Sequence, residues 1–177
     1  CSKELTHWAL WLTGVQIMIS LKCSMDLDIE KKTGWLAAHH VLFSIITPMN
    51  LLVSTVYWTV LREHALATFA NTATKAFHSG FVHTMPLVCN LVNFAVTDVV
   101  IKASHGLALL PFAFLYAFAN YATTKAQGYP VYPFLTWEDN TSFAIAFGLN
   151  MVTLLAFYAI AAISWAIKRS NKMKQKE

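Results

Sequence analysis

The feature that most constrains this chain is a succession of long apolar segments parted by short polar breaks. A helix that crosses a bilayer needs roughly 20 mainly apolar residues, and such stretches fall at about 5–22, 34–61, 76–101, 105–124 and 142–167. Of the 177 residues, 56% are hydrophobic and only 12% are charged, a balance that a soluble globular surface does not tolerate. The expected fold is therefore all-α: a polytopic transmembrane helical bundle forming a single transmembrane domain over 1–177, with five spans and a basic tail at 168–177. Too little chain remains between the spans for a soluble domain. Pro48 and Pro86 fall inside the second and third segments, where bundle neighbours can satisfy the backbone groups a proline frees.

Charge sets an orientation. The formal net charge of +4 comes largely from Lys168, Arg169, Lys172, Lys174 and Lys176, and no aromatics interleave these cations for stacking on bases, so nucleic acid is not an expected partner. With five spans, one face receives Lys3, Arg62, Lys75 and Lys125. The other receives Lys22, Lys31, Lys32, Lys102 and the tail cations. The positive-inside rule then places the C-terminus in the cytoplasm and the start of the chain on the opposite side. The expected location is an integral, multi-pass protein of the endoplasmic reticulum or plasma membrane, with an organellar membrane as the alternative. The chain begins at Cys1 without Met or a signal-peptide pattern, and its true N-terminus is expected to be missing. Cys1, Cys23 and Cys89 have neither disulfide nor zinc spacing, and no His-Glu-x-x-His pattern occurs, so no metal or other cofactor is expected. His39, His40 and His105 read as solvated residues at the cytoplasmic helix ends.

The spans carry polar residues in helical register. Thr6, Thr13, Gln16 and Ser20 share a face of the first; His40, Ser44, Thr47 and Ser54 of the second; Ser79, His83, Asn90, Asn93 and Thr97 of the third; Tyr116, Asn120 and Thr124 of the fourth. Polar groups turned toward lipid are costly, so these stripes are expected to converge on an interior. Most Ser, Thr and Asn in such stripes hold helices together, whereas an imidazole within a span is a candidate for acid–base chemistry. Thr13 and His83 each lie about two turns below the same entrance, roughly 10 Å at 1.5 Å per residue, which makes them a candidate nucleophile and base. Ser79 and His83, at i and i+4, are the rival pair. Asn90, Asn120 and Asn150 are candidate oxyanion donors, with Asn93 and Tyr132 as further substrate-binding candidates. The loop from Gly128 to Trp137 is stiffened by Pro130 and Pro133, and reads either as an aromatic belt or as a lid and acyl-chain guide over the cavity.

Several of these segments resemble the androgen-induced family of multi-span membrane proteins, which includes threonine hydrolases of fatty acid esters of hydroxy fatty acids. Trp11-Leu12-Thr13 resembles the family's nucleophile segment, Pro48 followed by Tyr57-Trp58 its next span, and Gly80-Phe81-Val82-His83-Thr84 its histidine motif. The run from Tyr116 through Gly128 to Val131-Tyr132-Pro133-Phe134-Leu135 is the most specific block. The resemblance implies Thr13 as nucleophile, His83 as its partner, membrane lipids as substrates and six spans in the full protein. The chain departs from the family's hydrolases at Asn93, where they carry Glu, and at Ala122-Thr123-Thr124, where they carry a His pair. The competing expectation is a non-catalytic accessory subunit of a larger membrane complex, whose polar stripes only pack helices.

Overall fold

The structure is a computed structural model that describes residues 4–25, 33–68, 72–97 and 99–174, and all regular structure among these is helical. Helix α1 spans Leu5–Met25 and α2 spans Thr33–Val56. A π-helical turn, Tyr57–Leu61, continues α2 into the short α3, Arg62–Thr68. Helix α4 covers Ala73–Val96, a 3₁₀ segment covers Ala103–Ala108, and α5 and α6 cover Leu109–Gln127 and Asn140–Lys174. Gly128 ends α5 in the left-handed conformation (φ 75°), its N–H donating to the Thr124 carbonyl, the role a glycine plays just past a helix end.

Among the described residues, four helical stretches are long and apolar enough to cross a membrane: Gly34–Thr68, Ala73–Val96, Ala103–Gln127 and Asn140–Lys168. They correspond to four of the five expected spans. The fifth, α1, is long enough at 21 residues but is not one of the four. Its buried face is Thr6, Ala9, Thr13, Gln16 and Ser20, while Leu10, Trp11, Val15, Met18 and Leu21 lie on its exposed side. Helix α1 lays its polar stripe against α2 and α4, so the stripe expected there from the sequence does face inward.

Two apolar clusters fix the helices. Ala9, Met49 and Val53 join α1 to α2, with Phe112 of α5 packed against them. Phe43, Ile101, Leu109, Phe157 and Ala161 join α2, the 3₁₀ segment and its approach, α5 and α6. Gly106 makes this second junction close: a Cβ there would lie 2.8 Å from Phe157 Cε1 and 3.2 Å from the Tyr158 hydroxyl. Phe157 is fully buried and cannot swing away. Gly106→Ala is thus expected to cost about 1–3 kcal/mol through overpacking. Thermal unfolding in detergent should show it as a fall of several degrees.

Two sequence expectations are corrected at the far end of the bundle. Lys168, read as the first cation of the basic tail, is instead buried in the bundle; its ammonium donates to the carbonyls of Phe94 and Thr97 and sits 5.2 Å over the Phe94 ring. A cation there satisfies the last carbonyls of α4 and complements the negative end of its dipole. His39, read as solvated, is also buried, with Nε2 3.4 Å from Gln16 Nε2, and His105 Nδ1 lies 3.0 Å from Ser44 Oγ. Buried polar groups on α1 and α2 need partners, and these imidazoles supply them.

Candidate functional site

The opposite end of the bundle, where α1 and α4 begin, holds a groove of about 840 Å³. Its walls are the start of α1 (Glu4, His7), the π turn and α3 (Tyr57, Leu61, His64), α4 (Lys75, His78, Ser79, His83) and the loop from Pro130 to Pro133. His83 is half-buried in this wall. Its ring stacks on Tyr57, centroids 4.0 Å apart and planes 13° from parallel. Its Nδ1 lies 2.6 Å from the Ser79 carbonyl oxygen. A carbonyl only accepts, so Nδ1 carries the hydrogen, and in the neutral ring Nε2 keeps the lone pair. The ring is thereby held in the tautomer of a general base. The π turn matters here, since a five-residue turn re-aims the helix where it occurs, and Tyr57 is the first residue of that turn.

Thr13 is elsewhere. Its hydroxyl donates to the Ala9 carbonyl at 2.7 Å and accepts a hydrogen bond from Asn50 Nδ2 at 2.9 Å. Thr13 meets α2 at Asn50, whereas His83 meets it at Tyr57, seven residues or about 10 Å further along. The equal depth expected from counting down each span is therefore corrected: no hydrogen bond joins Thr13 to His83. Nor is the rival pair formed through its hydroxyl, because His83 uses the Ser79 carbonyl. Thr6, one heptad above Thr13 on the same face, shares a cavity wall with His83.

The asparagines separate. Asn90 is fully buried, and neither its Oδ1 nor its Nδ2 has a partner among the described residues. Asn93 Oδ1 accepts from Ser20 Oγ at 3.3 Å, and Asn150 Nδ2 donates to the Ala146 carbonyl at 2.9 Å. Neither Asn90 nor Asn93 lines the His83 groove. Asn120 acts at a distance through a directed chain of hydrogen bonds. Trp137 Nε1 donates to Asn120 Oδ1 at 2.7 Å, Asn120 Nδ2 to the Tyr116 hydroxyl at 3.4 Å, and Tyr116 to the Tyr132 hydroxyl at 3.2 Å. The Leu5 backbone N–H, one of the orphan donors of the first turn of α1, also donates to Tyr132, at 2.9 Å.

Tyr132 thus accepts two hydrogen bonds and keeps its own proton for the cavity that it lines with His83. Burial, reinforced by the adjacent Tyr116, holds the Tyr132 phenol well above the usual tyrosine range, so the group is a neutral donor. The loop also places Trp137 in the left-handed region at φ 60°, with its backbone N–H donating to Ser142 Oγ at 2.9 Å. Sequence reasoning had Tyr132 as a substrate contact and Tyr116 on a polar stripe. It missed Tyr57 as the partner of His83 and Trp137 as the origin of the chain, although Tyr57-Trp58 stood out in the sequence.

Fold and site together define an all-helical bundle, four of its helical stretches apolar enough to cross a membrane, with a histidine and a tyrosine facing each other's cavity at one end. Compared with protein-family models, curated proteins and solved structures, the chain matches none.

Proposed function

We propose that the chain is a multi-pass membrane protein that hydrolyses the ester bond of a lipid, with His83 as general base and Tyr132 as the donor to the developing oxyanion. The observation that carries this reading is the pairing of a tautomer-fixed imidazole with a phenol whose proton is free, both on one cavity wall. His83 Nε2 takes the proton of the attacking hydroxyl, the oxygen adds to the ester carbonyl, and the Tyr132 hydroxyl stabilises the negative charge that gathers on the carbonyl oxygen. The imidazolium then returns its proton to the leaving alkoxide, which departs as the alcohol as its bond to the carbonyl carbon breaks. With water as nucleophile this frees the acid; with Thr13 it leaves an acyl ester that water, deprotonated by His83, cleaves in a second round to restore the Thr13 hydroxyl. The family resemblance supports fatty acid esters of hydroxy fatty acids as substrates. The basic end of the bundle at Lys22, Lys102 and Lys168 lies in the cytoplasm in this reading, and the His83 groove on the other side.

Two hydroxyls compete as nucleophile. The resemblance favours Thr13, which must leave the Ala9 carbonyl and close its two-turn offset from His83 to act; the open groove favours water. A second reading, a non-catalytic accessory subunit, is supported by the Thr13–Asn50 bond, which is the way buried hydroxyls and amides join helices. Purified protein assayed on a long-chain lipid ester, together with hydroxyl-reactive covalent probes, separates the three. Loss of turnover in both Thr13→Ala and His83→Ala, with loss of labelling, fits the Thr13 route. Turnover that survives Thr13→Ala but not His83→Ala fits direct attack by water. Wild-type protein that neither labels nor turns over ester would sink the hydrolase and leave the accessory subunit.

A further inference from the structure

Behind Tyr132 the cavity system changes character. A connecting pocket of about 60 Å³, walled by Thr6, Val53, His83 and Tyr132 among others, shares Leu61, His83 and Tyr132 with the polar groove. On its other side it shares Leu5, Leu52, Tyr116, Leu135 and Leu149 with a cleft of about 90 Å³ between α5 and α6. That cleft has α2 as its floor and the loop residues Leu135 and Trp137 as its roof, and small side chains, Ala113, Ala117 and Ala146, keep it open. Its walls are almost wholly carbon. Of the polar side chains there, Asn120 bonds Trp137 and Tyr116, Asn150 Nδ2 donates to the Ala146 carbonyl and Thr153 Oγ1 to the Leu149 carbonyl, so each already spends a donor within the protein.

We infer that the cleft between α5 and α6 is an acyl-chain subsite, which holds the hydrocarbon tail of a lipid whose ester lies beside His83 and Tyr132. The inference rests on the hydrolase reading for the ester end and adds the position and class of the tail. Along α5 the lining runs from Leu109 to Asn120, about 16 Å at 1.5 Å per residue, but its volume is below the about 150 Å³ that holds one benzene ring, so the cleft seats a short run of methylenes from the middle of the tail. A cleft walled almost wholly by carbon disfavours a headgroup or a sugar and accepts methylenes. The order of the compartments then fixes the direction of binding: tail between α5 and α6, ester at the histidine, polar end in the groove with His7, His64, Lys75 and His78.

The test is photolabelling in phosphatidylcholine nanodiscs with a palmitic acid analogue carrying a diazirine in the middle of its chain. Crosslinks are expected to map to the cleft-lining Phe112, Ala113, Ala117, Ala146, Leu149 and Leu154. Ala113→Trp, which fills the cleft, should lower them at least about tenfold, given how steeply apolar pockets discriminate single methylenes. Ala117→Phe, on the next turn, repeats the test where the first variant fails to fold, and Phe118→Trp, on the exposed face of α5, should leave labelling unchanged. His83→Ala should abolish turnover but retain the crosslinks. Crosslinks spread over the outward Phe114, Phe118 and Leu155 and indifferent to both fillings would overturn the subsite. Crosslinks confined to the cleft in a protein without esterase activity would overturn the hydrolase instead and leave a lipid-binding site.

Discussion

His83→Gln is expected to lower turnover of a lipid ester by at least about 100-fold, the ordinary contribution of a positioned general base, while thermal unfolding stays within a few degrees of the wild type. Gln retains an amide N–H that can reach the Ser79 carbonyl, and it fills much of the space beside Tyr57. What it lacks is a basic lone pair. The substitution therefore removes the proton acceptor and leaves the wall of the groove standing, which His83→Ala, with a void against the Tyr57 ring, does not. The distribution of the loss is informative as well. A base that acts only on the attacking hydroxyl should appear in kcat, with KM nearly unchanged. Tyr132→Phe should show the same signature, because the phenol donates to charge that exists only in the transition state. A His83→Gln protein that keeps activity within a few-fold of the wild type would remove His83 from the chemistry.

The helices were legible because the property that forms them is local. Apolar length and polar register along one helix can be read residue by residue, and the buried face of α1, Thr6, Thr13, Gln16 and Ser20, is the stripe the spacing predicts. Depth was not legible in the same way. Counting residues from each entrance assumes that helices start level and run parallel, and the contacts with α2 show instead that Thr13 and His83 engage it two turns apart. Lys168 illustrates another limit. A cation at a helix end reads as solvent-exposed until the carbonyls of a neighbouring helix end arrive beside it, and those belong to Phe94 and Thr97, more than 70 residues away in sequence. The hydrogen-bond chain to Tyr132 is of the same kind. Each residue in it has an ordinary local role, and the direction of the chain exists only once the aromatic loop has folded back over α5.

That fold-back makes Trp137 the position where a single substitution should do most damage to the structure. Its backbone is held at φ 60°, a conformation that costs a non-glycine residue on the order of 1–2 kcal/mol. The strain is balanced by the hydrogen bonds to Ser142 and Asn120 and by edge-on packing against Tyr121 and Phe143, with ring centroids at 5.8 Å and 5.2 Å. Trp137→Ala keeps the strain and discards the packing, so the loss should approach the about 3–5 kcal/mol typical of a buried tryptophan. At about 2–4 °C per kcal/mol for a chain of this size, the midpoint should fall by roughly 10 °C. Trp137→Gly discards the same packing but adopts the left-handed backbone freely. It is therefore expected to be the more stable of the two, the reverse of the usual order of Ala and Gly. Both variants free Asn120 Oδ1 and loosen the chain that aims Tyr132, so turnover should fall in both even at temperatures where the fold is intact. An Ala variant that equals or exceeds the Gly variant in stability would show that the backbone at 137 carries no such strain, and activity undiminished in both would separate the aromatic loop from the orientation of Tyr132.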